Sequence, residues 1–125
     1  AVSAWASKVG NITATVKSGS PTVKGKGIAF DGLFCATDTI AFGAIDAMHR
    51  AGIQIPEQVK VAAVGNNRMS AIYTPHLTSV NLSHRTGGLE AGAILMDMIQ
   101  NGNDAIRMAQ MQCRLYERES TGANA

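Results

Sequence analysis

A doubly wound α/β fold built on a parallel sheet is the class this sequence predicts, and three observations carry the prediction. Short apolar runs, LFCA (33–36) and VKVAAVG (59–65), read as strands covered on both faces. Between them the apolar period changes from strand-like to helical. The connections are short, and such strand–helix–strand alternation builds parallel sheets.

Each element follows in order. Ile12 to Lys17 alternates β-branched with small residues and predicts a strand, followed by SGSPTVKGKG as a loop rich in Gly, Ser and Lys. After LFCA, the residues Ile40, Ala44, Ile45 and Met48 fall on one helical face, with Thr39 or Asp38 as the predicted N-cap and Gly52 with Pro56 as the stop. NNRMSAIYTP is predicted as a loop. HLTSVNL (76–82) is a third strand anchored by Leu77 and Val80. Gly88 to Gln100 is a helix with Ala91, Ile94, Leu95 and Met98 on its inner side. Met108 to Glu117 closes the sheet, and STGANA is expected to fray.

Composition narrows the function. The chain has 125 residues, one modest domain, with 46% hydrophobic and 16% charged residues. The 11 Lys and Arg are scattered at a net charge of +2, whereas a nucleic-acid surface concentrates them on one face. No run is long and apolar enough for a membrane span, and AVSAWASKVG lacks the basic and apolar regions of a signal peptide; it reads as the tail of a helix begun upstream. Cys35 and Cys113 both sit in apolar strand-like contexts and are expected as buried, reduced thiols.

Catalytic inventory is thin. His49, His76 and His84 have no metal-ligand spacing with Cys, Asp or Glu. KGKG misses the phosphate-loop pattern, with one residue too many between Gly19 and Gly25 and a glycine after Lys26. No catalytic residue, metal or cofactor is expected. Ligands of open α/β sheets bind past the carboxyl ends of the strands. Two such ends are polar here: Thr37-Asp38, and Asn66-Asn67-Arg68. Their hydroxyl, carboxylate, amides and guanidinium suit a polyhydroxylated ligand. Equally, Asp38 serves as a helix cap and the two asparagines as turn formers.

The order of motifs LFCATDTIAFGAIDAMHRAGIQIPEQVKVAAVG, TPHLTSVNL, RTGGLEAGAILMDMI and RLYERESTG, over residues 31 to 121, resembles the C-terminal part of the core of LacI/GalR repressors. Within that family, VAAVGNNRMSAIYTPHLTSVNLSHRTGG is most similar to sucrose-operon repressors, then trehalose-operon repressors. The resemblance implies a periplasmic-binding-protein-like lobe, a fragment of a two-lobe core, and a cytoplasmic repressor of a sugar-utilisation operon. Residues 1–125 would form the C-terminal part of the effector domain, with the crossover helix 84–101 packing on an upstream lobe. It further implies a sugar or phosphosugar effector held by Thr37, Asp38, Asn66, Asn67 and Arg68, and a homodimer formed through Phe42, Ile45, Ile72 and Tyr73. Operator DNA would be read only through a missing N-terminal domain.

Departures from the family pattern are equally specific. Thr37 stands where relatives often carry Asn, and Gly65 stands at the carboxylate that commonly grips effector hydroxyls. An effector-binding Arg would lie just upstream of Ala1. Between the strand at Ile12 and that at Leu33 the family has a full helix, for which PTVKGKGIAF is too short. The stripe Ala91, Leu95 and Met98 is expected to be covered by another chain, or by this chain's own sheet if the helix swings onto it. A periplasmic sugar-binding protein and an α/β enzyme are the competing classes.

Overall fold

The computed structural model describes residues 14–17, 20–23, 30–102 and 105–123. The first described segment is an antiparallel hairpin of β1 (Ala14–Lys17) and β2 (Ser20–Val23), with Ala14 opposite Val23 and Lys17 opposite Ser20. The expected loop is therefore partly strand: Thr22 and Val23 are β-branched and pair with Thr15 and Ala14. Ile12 and Thr13 lie outside the described residues, and the strand expected from Ile12 is described from Ala14 to Lys17.

The main sheet has four strands in the order β3 (Gly32–Cys35), β4 (Lys60–Val64), β5 (Thr78–Asn81) and β6 (Arg114–Tyr116). β3, β4 and β5 are parallel, with Phe34 opposite Ala62 and Ala63 opposite Ser79. β6 pairs antiparallel to β5, Leu115 lying opposite Val80. The sheet is thus mixed, a common form in which an antiparallel edge strand closes a parallel set. β6 is shorter than the predicted Met108–Glu117, and Met108 is exposed.

α1 (Asp38–Arg50) crosses from β3 toward β4. Its cap is Thr37, whose Oγ1 accepts from Ile40 N at 3.3 Å, rather than Asp38 or Thr39. Thr37 has the extended backbone of a cap residue, while Asp38 already lies inside the first turn. Ala41, Ile45 and Met48 face the sheet and are buried, with Ile40 and Ala44 flanking them. They meet Cys35, Val61 and Ala63 from the strands, and Ile53, Ile55, Val59 and Leu77 from the connections. Each large apolar side chain so buried contributes about 1.5–3 kcal/mol. Here lies the core.

Strand alternation turns Leu33 and Cys35 inward and Phe34 outward, where it is 65% exposed. The prediction that both faces of this strand are covered fails for that reason: α1 covers one face only. Cys113 likewise is exposed, and both cysteines are free. Burial raises the Cys35 thiol from 9.0 to about 11.

α2 (His84–Asn101) has the bounds given for the crossover helix, starts four residues before the Gly88 that periodicity predicts, and buries no residue. Ala91 and Leu95 are exposed, Ile94 and Met98 only half-buried, and Leu89, Met96 and Ile99 are exposed as well. The helix has not swung onto its own sheet. The chain's end is the reverse case. A short 3-10 turn, Glu119–Thr121, follows β6, and Ser120 within it is fully buried. Ser120 Oγ donates to Val61 O at 2.6 Å and accepts from Thr78 N at 2.8 Å. These bonds hold Ser120 and Thr121 in place where fraying was expected; residues 124 and 125 lie outside the described set.

Candidate functional site

The loops after β3 and β4 meet at the carboxyl edge of the parallel strands, because adjacent parallel strands end on the same side. Asp38, at the start of α1, is only 3% exposed. Its Oδ2 accepts from Asn67 N at 2.5 Å and Ser70 Oγ at 2.8 Å, and its Oδ1 accepts from Ser79 Oγ at 2.5 Å. Ser70 and Ser79 are completely buried. Three donors on one buried carboxylate repay its desolvation and tie α1, β5 and the loop after β4 into one polar hub.

That loop has two left-handed turns of backbone. Gly65 takes φ +133° and Asn66 φ +49°. A Cβ on Gly65 would stand 3.4 Å from Asp38 Oδ2, in a conformation L side chains rarely adopt. The carboxylate that the resemblance places at this position is excluded by backbone as well as by sequence. Asn66 tolerates its left-handed turn as asparagine commonly does. Its N–H donates to Ser79 Oγ at 2.9 Å, and its Oδ1 accepts from Arg118 Nη2 at 2.7 Å. Asn67 Oδ1 caps the 3-10 turn Arg68–Ala71 by accepting from Met69 N at 3.0 Å.

Arg118 enters from the far end of the sequence. Its Nη1 donates to Leu77 O at 2.6 Å, and its guanidinium lies 5.3 Å from the centroid of the Tyr116 ring. Tyr116 also lies under Arg114, at 5.1 Å. Such stacking restrains a planar guanidinium while leaving its edge free to donate.

Of the residues singled out from sequence, Asp38, Asn66 and Asn67 come together, directly or through Ser79. Thr37 is exposed on the adjoining turn and Arg68 is exposed on the loop. Asp38 does not offer a free carboxylate to solvent, since its own chain occupies it. Ser70, Ser79 and Arg118 went unnoticed in the sequence. A signal for Ser79 existed: a small hydroxyl inside the apolar strand LTSV needs a buried partner.

The second set of residues lies on the α1 flank. Phe42 packs on Tyr73 with ring centroids 4.8 Å apart and planes inclined by 34°. Ile72 beside them is 66% exposed. Ile45, predicted with them as a contact, is instead 0% exposed in the chain's own core. One turn from Phe42, it points to the sheet.

A family model described as periplasmic binding protein-like domain matches residues 2–121. The HTH-type transcriptional repressor PurR of Aliivibrio fischeri is 32% identical over 88 residues, covering 70% of this chain and 26% of that protein. The LacI-type transcription regulator of Bifidobacterium animalis subsp. lactis superposes with a TM-score of 0.70 at 28% identity, over 74% of this chain and 33% of that one. A LacI family transcriptional regulator from Enterococcus faecium, solved with bound ribose, gives a TM-score of 0.69 at 27% identity, over 73% of this chain and 34% of that one. The chain thus spans about a quarter of the curated relative and a third of the solved chains. These relatives are transcriptional regulators, not enzymes, and do not single out sucrose or trehalose repressors or favour a periplasmic sugar-binding protein. No helix of the described residues is long and apolar enough to cross a membrane. The chain belongs to the periplasmic binding protein-like domain family and is similar over part of their length to LacI-type transcriptional regulators.

Proposed function

We propose that this chain is the C-terminal part of the sensing core of a cytoplasmic LacI-type repressor that controls sugar utilisation. Its effector lies against the rim formed by Thr37, Asn66, Asn67 and Arg68. Asp38 positions that rim rather than gripping the effector itself. The observation that carries this reading is the braced loop Gly65–Arg68 at the carboxyl ends of the parallel strands, beside the start of α1. That edge is where open α/β sheets bind ligands. Ribose bound to the Enterococcus relative supports a sugar as the ligand.

The reaction is reversible binding. An effector regulates only if it binds two arrangements of the core with different affinity. In this reading an upstream lobe closes over the rim and packs on α2, whose Leu89, Leu95, Met96 and Ile99 are exposed. Phe42, Tyr73 and Ile72 form the contact between two copies, the aromatic pair burying area and Ile72 presenting the apolar tip. DNA is read by a domain upstream of this chain. Calorimetry on the intact protein against sucrose, trehalose, fructose and ribose, paired with operator retardation, tests the reading. One of these sugars is expected to bind and to change operator affinity. Binding of none, in free or phosphorylated form, would refute it.

A further inference from the structure

The rim and the contact between copies are carried by the same two elements. α1 bears Thr37 at its cap and Phe42 on its flank, and Asp38 and Phe42 stand four residues apart, one turn along the helix. The loop after β4 bears Asn66 and Asn67 at its start and Ile72 and Tyr73 at its end, joined by the 3-10 turn Arg68–Ala71. That turn is closed by its own hydrogen bonds. Ser70 N donates to Asn67 O at 2.9 Å, Tyr73 N donates to Met69 O at 2.8 Å, and Met69 N donates to Asn67 Oδ1 at 3.0 Å. The two elements are tied to each other at both ends. At the rim, Asp38 Oδ2 accepts from Asn67 N at 2.5 Å and from Ser70 Oγ at 2.8 Å. At the other end, the Phe42 and Tyr73 rings meet with centroids 4.8 Å apart.

These contacts close a ring. It runs from Asp38 to Phe42 through one helical turn, from Phe42 to Tyr73 through the rings, and from Tyr73 back to Asp38 through Met69 and Ser70. Asp38 is 3% exposed and Ser70 0%, so water cannot take the place of either, and parting them leaves a buried hydroxyl unpaired. A displacement of the rim is therefore carried to Tyr73 rather than absorbed at the joint. We propose that this ring couples the effector rim to the contact between copies, so that dimerisation and effector binding strengthen each other, with Ser70 as the positioning residue that transmits the effect. This rests on the rim being the effector site and on Phe42, Ile72 and Tyr73 being the dimer contact. Pairing of two copies at Tyr73 holds the turn in one arrangement, and a turn already held costs less ordering when a ligand settles against Asn67. Coupling is reciprocal in binding free energy, so each event changes the other by the same factor.

Hydrogen exchange on the intact protein reads the coupling without a ligand. Over a dilution series that takes dimer to monomer, the amides of residues 66–70 are expected to exchange at least about fivefold faster in the monomer, the lower end of ordinary coupling between sites. Ile72→Glu is expected to show the fast rate at every concentration. Ser70→Ala is expected to keep the dimer while residues 66–68 lose their dependence on dilution. Ser120→Ala, whose lost hydroxyl lies outside the ring, controls for simple destabilisation and is expected to keep that dependence. Among sucrose, trehalose, fructose and ribose, a sugar that binds is expected to tighten the dimer and to bind Ile72→Glu more weakly, by one common factor. Rim exchange that ignores the dimer state, or a Ser70→Ala protein that responds like the parent, would overturn the coupling while leaving the effector site standing. A dimer that survives Ile72→Glu would overturn it as well, since the contact then lies elsewhere. Rim exchange that follows the dimer state in a protein that binds no sugar would support the ring and overturn the sugar instead.

Discussion

Replacing Asp38 by Ala tests the polar hub most directly. The substitution removes a carboxylate that is 3% exposed and accepts from Asn67 N, Ser70 Oγ and Ser79 Oγ. Asn67 is exposed, so its N–H can turn to water at little cost. Ser70 and Ser79 are fully buried and cannot. Each buried hydroxyl left without its acceptor costs about 1–3 kcal/mol, so the pair amounts to about 2–6 kcal/mol. Against the 5–15 kcal/mol typical of a domain, that is a large fraction. Urea unfolding followed by circular dichroism is expected to show the midpoint fall by about 1–3 M at unchanged slope. Asp38→Asn, which keeps one acceptor, should lose about half as much. A loss below about 0.5 kcal/mol for the Ala variant would mean that the serines find other partners, and the hub would not hold the loop.

Other expectations follow from single residues. Ser120→Ala removes the hydroxyl joining Val61 O to Thr78 N and should cost about 1–3 kcal/mol in the same assay, where a frayed terminus would cost nothing. A thiol reagent at neutral pH should label Cys113 in the native protein and both cysteines in urea, because Cys35 is buried and held protonated. Since Cys35 ionises near 11 folded against 9.0 in its ordinary state, the folded form binds the extra proton between these values. Stability from this group is complete below pH 9 and is lost as pH rises toward 11; Cys35→Ser should flatten that part of the pH profile of unfolding. Ile72→Glu puts a charge on an exposed apolar tip and should leave the unfolding free energy within about 0.5 kcal/mol of the parent while shifting sedimentation toward the monomer. An unchanged dimer would move the interface elsewhere.

Local pattern alone determined much of this protein. The parallel strands, the helix face of Ile45 and Met48, and the meeting of Thr37-Asp38 with Asn66-Asn67 at one sheet edge follow from apolar periodicity and from the rule that parallel strands end together. The ordered motifs from 31 to 121 carried the family. Tertiary structure decided what those residues do. Asp38 looked like a free ligand group, but partners 29 to 41 residues away occupy it. Ser120 looked frayed until Val61 and Thr78 were seen to hold it. Phe34 looked buried because an apolar strand does not reveal that only one of its faces has a helix. Arg118, 52 residues from Asn66, gave no local sign of its role. Periodicity reports the face a residue presents. Whether a polar group is spent or free depends on partners that only the folded chain brings within hydrogen-bond reach.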